Sequence, residues 1–117
     1  MKKVILVLAL LCLNGCSLMA LWPKPHDPVM FGNAVDVKVA MSKISCDDKK
    51  IWNPVLDKIE TLRYYSDSRN DPQAKNIAGL EDAMKRAKDS NNNVFCESLL
   101  KLNKTRIDVV LDAWKGR

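Results

Sequence analysis

Four cysteines are the residues of this 117-residue chain with the most specific chemistry. Cys12 and Cys16 lie close together near the N-terminus, whereas Cys46 and Cys96 are separated by 50 positions in the remainder of the chain. A thiolate can act as a nucleophile, bind a soft metal ion or form a disulfide, so the surroundings of each cysteine decide its use. The single histidine, His26, lies in a proline-rich stretch outside any predicted pocket, where we expect a solvated linker residue.

Residues 1–15 have the layout of a secretory signal peptide. Lys2 and Lys3 form a basic start, and residues 4–13 are an unbroken apolar run. That run is too short to cross the hydrocarbon core of a membrane, which requires a helix of about 20 residues. A membrane span would require the helix to continue to Trp22, so an uncleaved anchor is the alternative to a cleaved signal.

The sequence Leu13-Asn14-Gly15-Cys16 resembles the lipobox of bacterial lipoproteins. In that motif an aliphatic residue stands three positions before the cysteine and a small residue directly before it, although Asn14 departs from the usual small residue. The resemblance implies cleavage before Cys16, transfer of a diacylglyceryl group to its thiolate and acylation of its amine, which together give an effectively permanent anchor. Ser17 stands where an Asp tends to retain such proteins in the inner membrane, so the resemblance implies the outer membrane.

Residues 16–28 are predicted to be a lipid-anchored tether, and residues 29–117 a helical domain. Pro23, Pro25 and Pro28 stiffen the tether and prevent a helix or strand from starting. The apolar residues before Pro23 could lie in the headgroup region, where tryptophan is favoured. The alternative is a disordered linker.

Cys46 and Cys96 are predicted to form a disulfide. If Cys12 leaves with the signal and Cys16 carries lipid, these two cysteines remain in an oxidising periplasm. Closing this long loop would stabilise the fold by about 4 kcal/mol in the chain-entropy model. Metal binding is the competing interpretation, but two cysteines and the distant His26 do not provide the four ligands of a tetrahedral metal site. We therefore expect no metal and no other cofactor.

The segment at about residues 28–45 fits two periodicities. Ala34, Val37 and Met41 lie at helical spacing, whereas Val35, Val37 and Val39 also alternate as in a strand. Because no partner strand is evident elsewhere in the sequence, we predict a helix.

Two further helices are predicted to begin at a polar residue followed by proline, with Asn53 and Asp71 as their N-caps. The first of these would end near Asp67. In the second, four residues form the apolar stripe: Ile77, Leu80, Met84 and Ala87. Four others are predicted to face solvent: Glu81, Asp82, Lys85 and Lys88.

The fourth predicted helix follows the polar loop at residues 90–93 and has the clearest stripe in the chain. Its predicted core residues are Cys96, Leu100, Asn103, Ile107, Val110 and Trp114. The sequence therefore predicts an all-α fold, a small bundle of three to four helices with one disulfide.

No combination of residues indicates an enzyme. The four glycines are scattered, so there is no phosphate-binding loop. Carboxylates such as Asp57 and Glu60 have basic residues at helical spacing, which is typical of solvated helix faces. The net charge of +5 includes the signal's two lysines, and the mild remaining charge does not indicate nucleic-acid binding.

Two clusters are candidate binding surfaces. The first comprises Arg63, Tyr64, Tyr65 and Arg69. Adjacent tyrosines cannot both face the core, and Tyr and Arg dominate protein interfaces. The alternative is that one tyrosine covers the core while Arg69 pairs with a neighbouring aspartate, Asp67 or Asp71. The second cluster comprises Arg106, Trp114, Lys115 and Arg117, in which Trp114 is predicted to continue the core stripe.

We therefore expect an outer-membrane lipoprotein that faces the periplasm and acts as a non-catalytic protein-binding or adaptor module. Its expected partners are the bilayer, through acylated Cys16, and an envelope protein. The alternative is a phage- or plasmid-encoded exclusion or inhibitor lipoprotein that blocks a receptor or an envelope enzyme. A binder of small apolar ligands would need a cavity between the helices, which the large predicted core residues disfavour.

Overall fold

The computed structural model describes residues 25–115. These residues form four α-helices: α1 (Pro28–Ser42), α2 (Trp52–Ser68), α3 (Ala74–Asp89) and α4 (Asn93–Lys115). A turn of 3-10 helix at Lys49–Ile51 precedes α2. The predicted signal peptide, Cys16 and most of the predicted tether lie outside the described residues.

The four helices form a closed up-and-down bundle. Helix α1 packs against α2 and α4, and α3 packs against the same two helices. Short connections join successive helices, so neighbours along the chain are antiparallel. The predicted all-α bundle is confirmed, with four helices in the described part of the chain.

The bundle interior is a single hydrophobic core to which every helix contributes. Helix α4 buries all six residues of its predicted stripe, from Cys96 to Trp114. Trp52 and Trp114 are the largest buried side chains of the core. Burial of this apolar surface is the main favourable term in the stability of such a domain.

Helix α1 resolves the ambiguous periodicity in favour of the helix. Ala34, Val37 and Met41 are buried, whereas Val35 and Val39 are exposed. A strand would instead have placed all the alternating valines on one face. The helix ends at Ser42, three residues before the predicted end.

The predicted N-caps of α2 and α3 are wrong. Helix α2 begins at Trp52, because Asp48 already accepts a hydrogen bond from the Lys50 amide and starts the preceding 3-10 turn. Helix α3 begins at Ala74, after a turn in which the Asp71 carboxylate accepts a hydrogen bond from the Gln73 amide at 2.9 Å. The aspartates Asp48 and Asp71 thus organise tight turns just before the two helices.

We call the end of the bundle formed by residues 25–31, residues 64–76 and the last turns of α4 the tether end. Here the Trp114 indole nitrogen donates a hydrogen bond of 3.0 Å to the Asp71 carboxylate. This buried bond ties the last turns of α4 to the α2–α3 connection. Asp71 is itself only 5% exposed, so the acceptor and the donor are both shielded from water.

We call the opposite end, formed by residues 43–53 and 88–96, the disulfide end. Cys46 and Cys96 form a disulfide there, as predicted. The Lys49 ammonium donates to the Ser90 carbonyl, and the Lys88 ammonium donates to the Asn53 side chain. The disulfide thus joins the α1–α2 connection to the start of α4, while the two polar contacts join that connection to the α3–α4 connection and α2 to α3.

Candidate binding surface

The adjacent tyrosines near the end of α2 point in different directions. Tyr64 is 59% exposed, whereas Tyr65 is partly buried against the core. Successive residues on a helix are rotated by about 100°, so a pair of neighbours at the edge of a core separates in this way. One tyrosine thus covers the core and the other faces solvent.

Tyr65 and Arg69 are held by Asp27, the residue that caps α1. The Asp27 carboxylate accepts hydrogen bonds from the amides of Val29 at 3.0 Å and Met30 at 3.1 Å. Its second oxygen accepts a bond of 2.9 Å from the Tyr65 hydroxyl and lies 3.4 Å from the Arg69 Nε. The start of α1 is thereby fastened to the end of α2.

The prediction that Arg69 pairs with Asp67 or Asp71 is wrong, because Arg69 pairs with Asp27. Arg69 follows the last residue of α2, and the antiparallel packing of α1 and α2 brings the Asp27 carboxylate to that position. No local spacing in the sequence indicates this contact, which spans 42 positions. The proline-rich context of Asp27 is typical of a linker and conceals its role as a cap.

These contacts change the acid–base properties of both groups. The hydrogen bond from the Met30 amide contributes most to lowering the pKa of Asp27 below 3.8, against an opposing effect of burial. Tyr65, Arg69 and the Val29 amide also lower the Asp27 pKa. Conversely, the hydrogen bond to Asp27 is the largest cause that raises the pKa of Tyr65 above 10.0.

Arg63 is held by Glu81, which belongs to α3. The Arg63 Nε lies 3.2 Å from one Glu81 carboxylate oxygen, and the Lys85 ammonium lies 3.0 Å from the other. Glu81 is only 4% exposed, so the prediction that it faces solvent is wrong. It follows Leu80 in the α3 stripe and turns toward α2, where Arg63 provides the positive charge that a buried carboxylate requires.

The Arg63 guanidinium also covers one face of the Tyr64 ring. Its central carbon lies 4.7 Å from the ring centroid, within the range of a cation–π interaction. We call Tyr64, Arg63 and Glu81 the Tyr64 platform. It consists of an exposed aromatic ring resting on a cation that is ion-paired with a buried carboxylate, although the Arg63 Nε and the facing Glu81 oxygen are not aligned for a hydrogen bond.

The second predicted cluster does not form a single surface. Trp114 is buried, as predicted, and Lys115 pairs with the exposed Asp112. The Arg106 guanidinium donates a bond of 3.1 Å to Asn103 and lies close over Gly79 of α3, where a Cβ would approach its Nη1 to 3.1 Å. Arg117 lies outside the described residues. Trp114 and Arg106 therefore serve the packing of α4 against its neighbours, whereas the Lys115 pair lies within α4.

The surface grooves are open and bordered mainly by polar side chains. The groove between α1 and α2 is lined by Asn33, Asp36, Asp57, Lys58 and Thr61. A second lies at the disulfide end, beside Asp47, Asp48, Lys49 and Lys88. Neither groove provides the enclosed apolar space typical of a small-molecule site.

Within residues 25–115, no three His, Cys, Asp or Glu side chains are close enough together to hold a metal ion. None of the helices in that range combines the length and apolar character that a bilayer span requires. Comparisons of the chain with protein-family models, curated proteins and solved structures found no match.

Proposed function

We propose that this protein is a lipoprotein anchored through Cys16 to the outer membrane, where it faces the periplasm and binds an envelope protein without catalysis. The lipobox resemblance supports the anchor. The exposed Tyr64 ring on its Arg63 support is the observation that carries the binding role. Aromatic residues and arginine are the side chains that contribute most to protein interfaces.

The Tyr64 platform is organised before any partner arrives. Immobilising a flexible side chain at an interface costs about 0.5–1.5 kcal/mol, which weakens binding. Arg63 already forms an ion pair with Glu81, and Tyr64 rests against Arg63. A partner that packs on the ring therefore orders fewer groups than it would on an unsupported tyrosine.

The ion pair between Arg63 and Glu81, beneath the Tyr64 ring, supports the same role. A buried salt bridge is often no more stabilising than apolar residues of similar volume, because both charges lose their hydration. Glu81 is buried all the same, and Arg63 is partly buried. In this proposal the pair serves to position the Tyr64 ring.

Tyr65 and Arg69 have a different role from Tyr64 in this proposal. The Tyr65 hydroxyl and the Arg69 Nε are both directed to Asp27. A partner would have to break these contacts before it could use those atoms. The proposed contact is therefore centred on Tyr64 and Arg63, with Tyr65 and Arg69 fastening the helices behind it.

Site-specific photo-crosslinking in the native envelope tests the binding role. A photoreactive residue at position 64 is expected to capture one defined protein, and the purified partner should bind a Tyr64→Ala variant at least tenfold more weakly than the unchanged protein. Leu102 on α4 is 57% exposed and provides a matched control position. Equal capture at both positions, or unchanged binding by Tyr64→Ala, would contradict the proposal. Capture of a receptor or an incoming assembly would favour an exclusion or inhibitor role over an adaptor.

The anchor is tested separately. Cys16→Ser should abolish labelling by a fatty-acid probe and release the mature protein from membranes. Membrane retention and mass that do not change in this variant would contradict lipidation.

A further inference from the structure

We infer that the bundle stands on the bilayer with its tether end toward the lipid and its disulfide end directed away. This inference rests on the proposed lipid anchor. It adds an orientation, which decides whether the surfaces near Asp27 or those near Cys46 and Cys96 lie beside the membrane. Two properties of the chain set this orientation: the point where it leaves the bundle and the reach of the residues between that point and Cys16.

Asp27 fixes the point at which the chain leaves the bundle. Its carboxylate binds two amides in the first turn of α1, those of Val29 and Met30, together with Tyr65 and Arg69 of the neighbouring segment. The residue is only 9% exposed. The first turn of α1 therefore cannot fray without breaking contacts to α2, and the tether does not lengthen at the expense of the helix.

The chain between Cys16 and Asp27 is short compared with the bundle. It spans 11 residue steps, which reach at most about 40 Å when fully extended. Helix α4 has 23 residues and is about 35 Å long. The tether end thus remains near the bilayer, whereas an inverted bundle would need a tether close to full extension.

This orientation determines what the exposed apolar side chains of the disulfide end can contact. Val94 is 77% exposed and Ile51 is 46% exposed, so either could insert into lipid if that end reached the bilayer. With the tether leaving from the opposite end, both face away from the membrane. Tyr64 lies in the last turns of α2 and belongs to the tether end, so the proposed partner surface lies near the bilayer.

Energy transfer to labelled lipid headgroups can measure the orientation. The mature lipidated protein is placed in vesicles of phosphatidylethanolamine and phosphatidylglycerol, with a donor dye on Ser68→Cys or on Asn91→Cys. Both residues are exposed and lie at opposite ends of the bundle, and the native disulfide is buried. We expect at least a threefold greater donor quenching at position 68 than at position 91. Equal quenching, or stronger quenching at position 91, would overturn the inference.

Two controls separate the effect of the tether from that of the anchor itself. Vesicle flotation and intact mass report whether the protein is lipidated and bound, so a failure of the proposed anchor is visible before any orientation is measured. Inserting about 20 Gly and Ser residues between Lys24 and Pro25 lengthens the tether without changing the bundle. The difference between positions 68 and 91 should then shrink at least twofold. An undiminished difference would show that the tether does not set the orientation.

Discussion

The two ends of the bundle are fastened by different chemistry. At the disulfide end, a covalent bond between Cys46 and Cys96 joins the α1–α2 connection to the first turn of α4. At the tether end, two aspartates hold the helices together, because Asp27 joins α1 to α2 and Asp71 joins the α2–α3 turn to α4. Each end thus connects segments that are far apart in the sequence.

Because their chemistry differs, the two ends respond to different conditions. A disulfide constrains the unfolded chain and is broken by reductants, but it carries no charge that titrates. The Asp27 contacts depend on an ionised carboxylate whose pKa is lowered in the folded protein, so acid weakens them. If the tether end faces the bilayer, the acid-sensitive fastening lies on the membrane side.

The largest effect is expected at the disulfide end. Replacing both cysteines, Cys46→Ala with Cys96→Ala, should lower the free energy of unfolding by about 4 kcal/mol, because the loop constraint on the unfolded chain is lost. Urea unfolding followed by tryptophan fluorescence measures this loss. A reductant should lower the stability of the unchanged protein by a similar amount and leave the double variant unaffected. A loss in the free energy of unfolding below about 1 kcal/mol would show that the fold does not depend on the disulfide.

At the tether end, Trp114→Phe should lower the free energy of unfolding by about 2 kcal/mol. The substitution retains an aromatic ring in the core but removes the indole donor, and hydrogen bonds to charged groups contribute about 1.5–3 kcal/mol. Trp52→Phe is a matched control, because the Trp52 indole nitrogen donates to the neutral carbonyl of Ser45 at 2.9 Å. Urea unfolding should show the smaller loss for this control. Equal losses would mean that the charge on Asp71 adds nothing.

A smaller loss in the free energy of unfolding, about 1 kcal/mol at neutral pH, is expected for Asp27→Asn. Asparagine still caps α1, but it loses the ion pair with Arg69. Because the folded-state pKa of Asp27 is lowered, its ionisation stabilises the fold above the unfolded-state value and ceases to do so as pH falls through the folded-state value. The difference between the two proteins should therefore disappear in the acid range below pH 3.8.

Unfolding free energies measured by urea titration from pH 7 downward test this expectation. Asp36→Asn is the control, since Asp36 is an exposed carboxylate on the same helix. If the free energies of unfolding of Asp27→Asn and the unchanged protein differed by the same amount at every pH, the predicted acid sensitivity of the Asp27 contacts would be contradicted.

The smallest effect on stability is expected for Tyr64→Ala, which should change the free energy of unfolding by less than about 0.5 kcal/mol. Tyr64 is mostly exposed and contributes little to the core, although it lies at the same end as Asp27. Tyr65→Ala, which removes a partly buried ring and the hydroxyl bound to Asp27, should cost clearly more. A large loss for Tyr64→Ala in thermal or urea unfolding would assign the ring to the fold instead of to a partner.

Much of the helical pattern could be predicted from the chain alone. The stripe from Cys96 to Trp114 and the stripe containing Ala34, Val37 and Met41 reflect the 3.6-residue period, which is a local property. Helix starts were less predictable: Asn53 and Asp71 are residue types that often act as N-caps, but Asn53 lies inside the first turn of α2 and Asp71 acts in the turn before α3. Turn chemistry and cap chemistry use the same side chains, so composition does not separate them.

The candidate surface combines residues that the sequence identifies with contacts that it does not. Arg63, Tyr64, Tyr65 and Arg69 could be selected as a cluster from their types, but their division into two roles could not. That division depends on Asp27 and Glu81, which lie 38 positions before Tyr65 and 18 positions after Arg63. The spacing within α2 contains no information about either residue.

Residue type and local spacing were sufficient to predict the helical segments, the cysteine pair and the resemblance to a lipoprotein signal. They were not sufficient to predict that Arg69 pairs with Asp27, that Glu81 is buried or that Tyr64, and not Tyr65, stays exposed. The physical reason is that burial and charge pairing depend on which helix faces which. The antiparallel packing of α2 between α1 and α3 sets these contacts, and it exists only in the folded bundle.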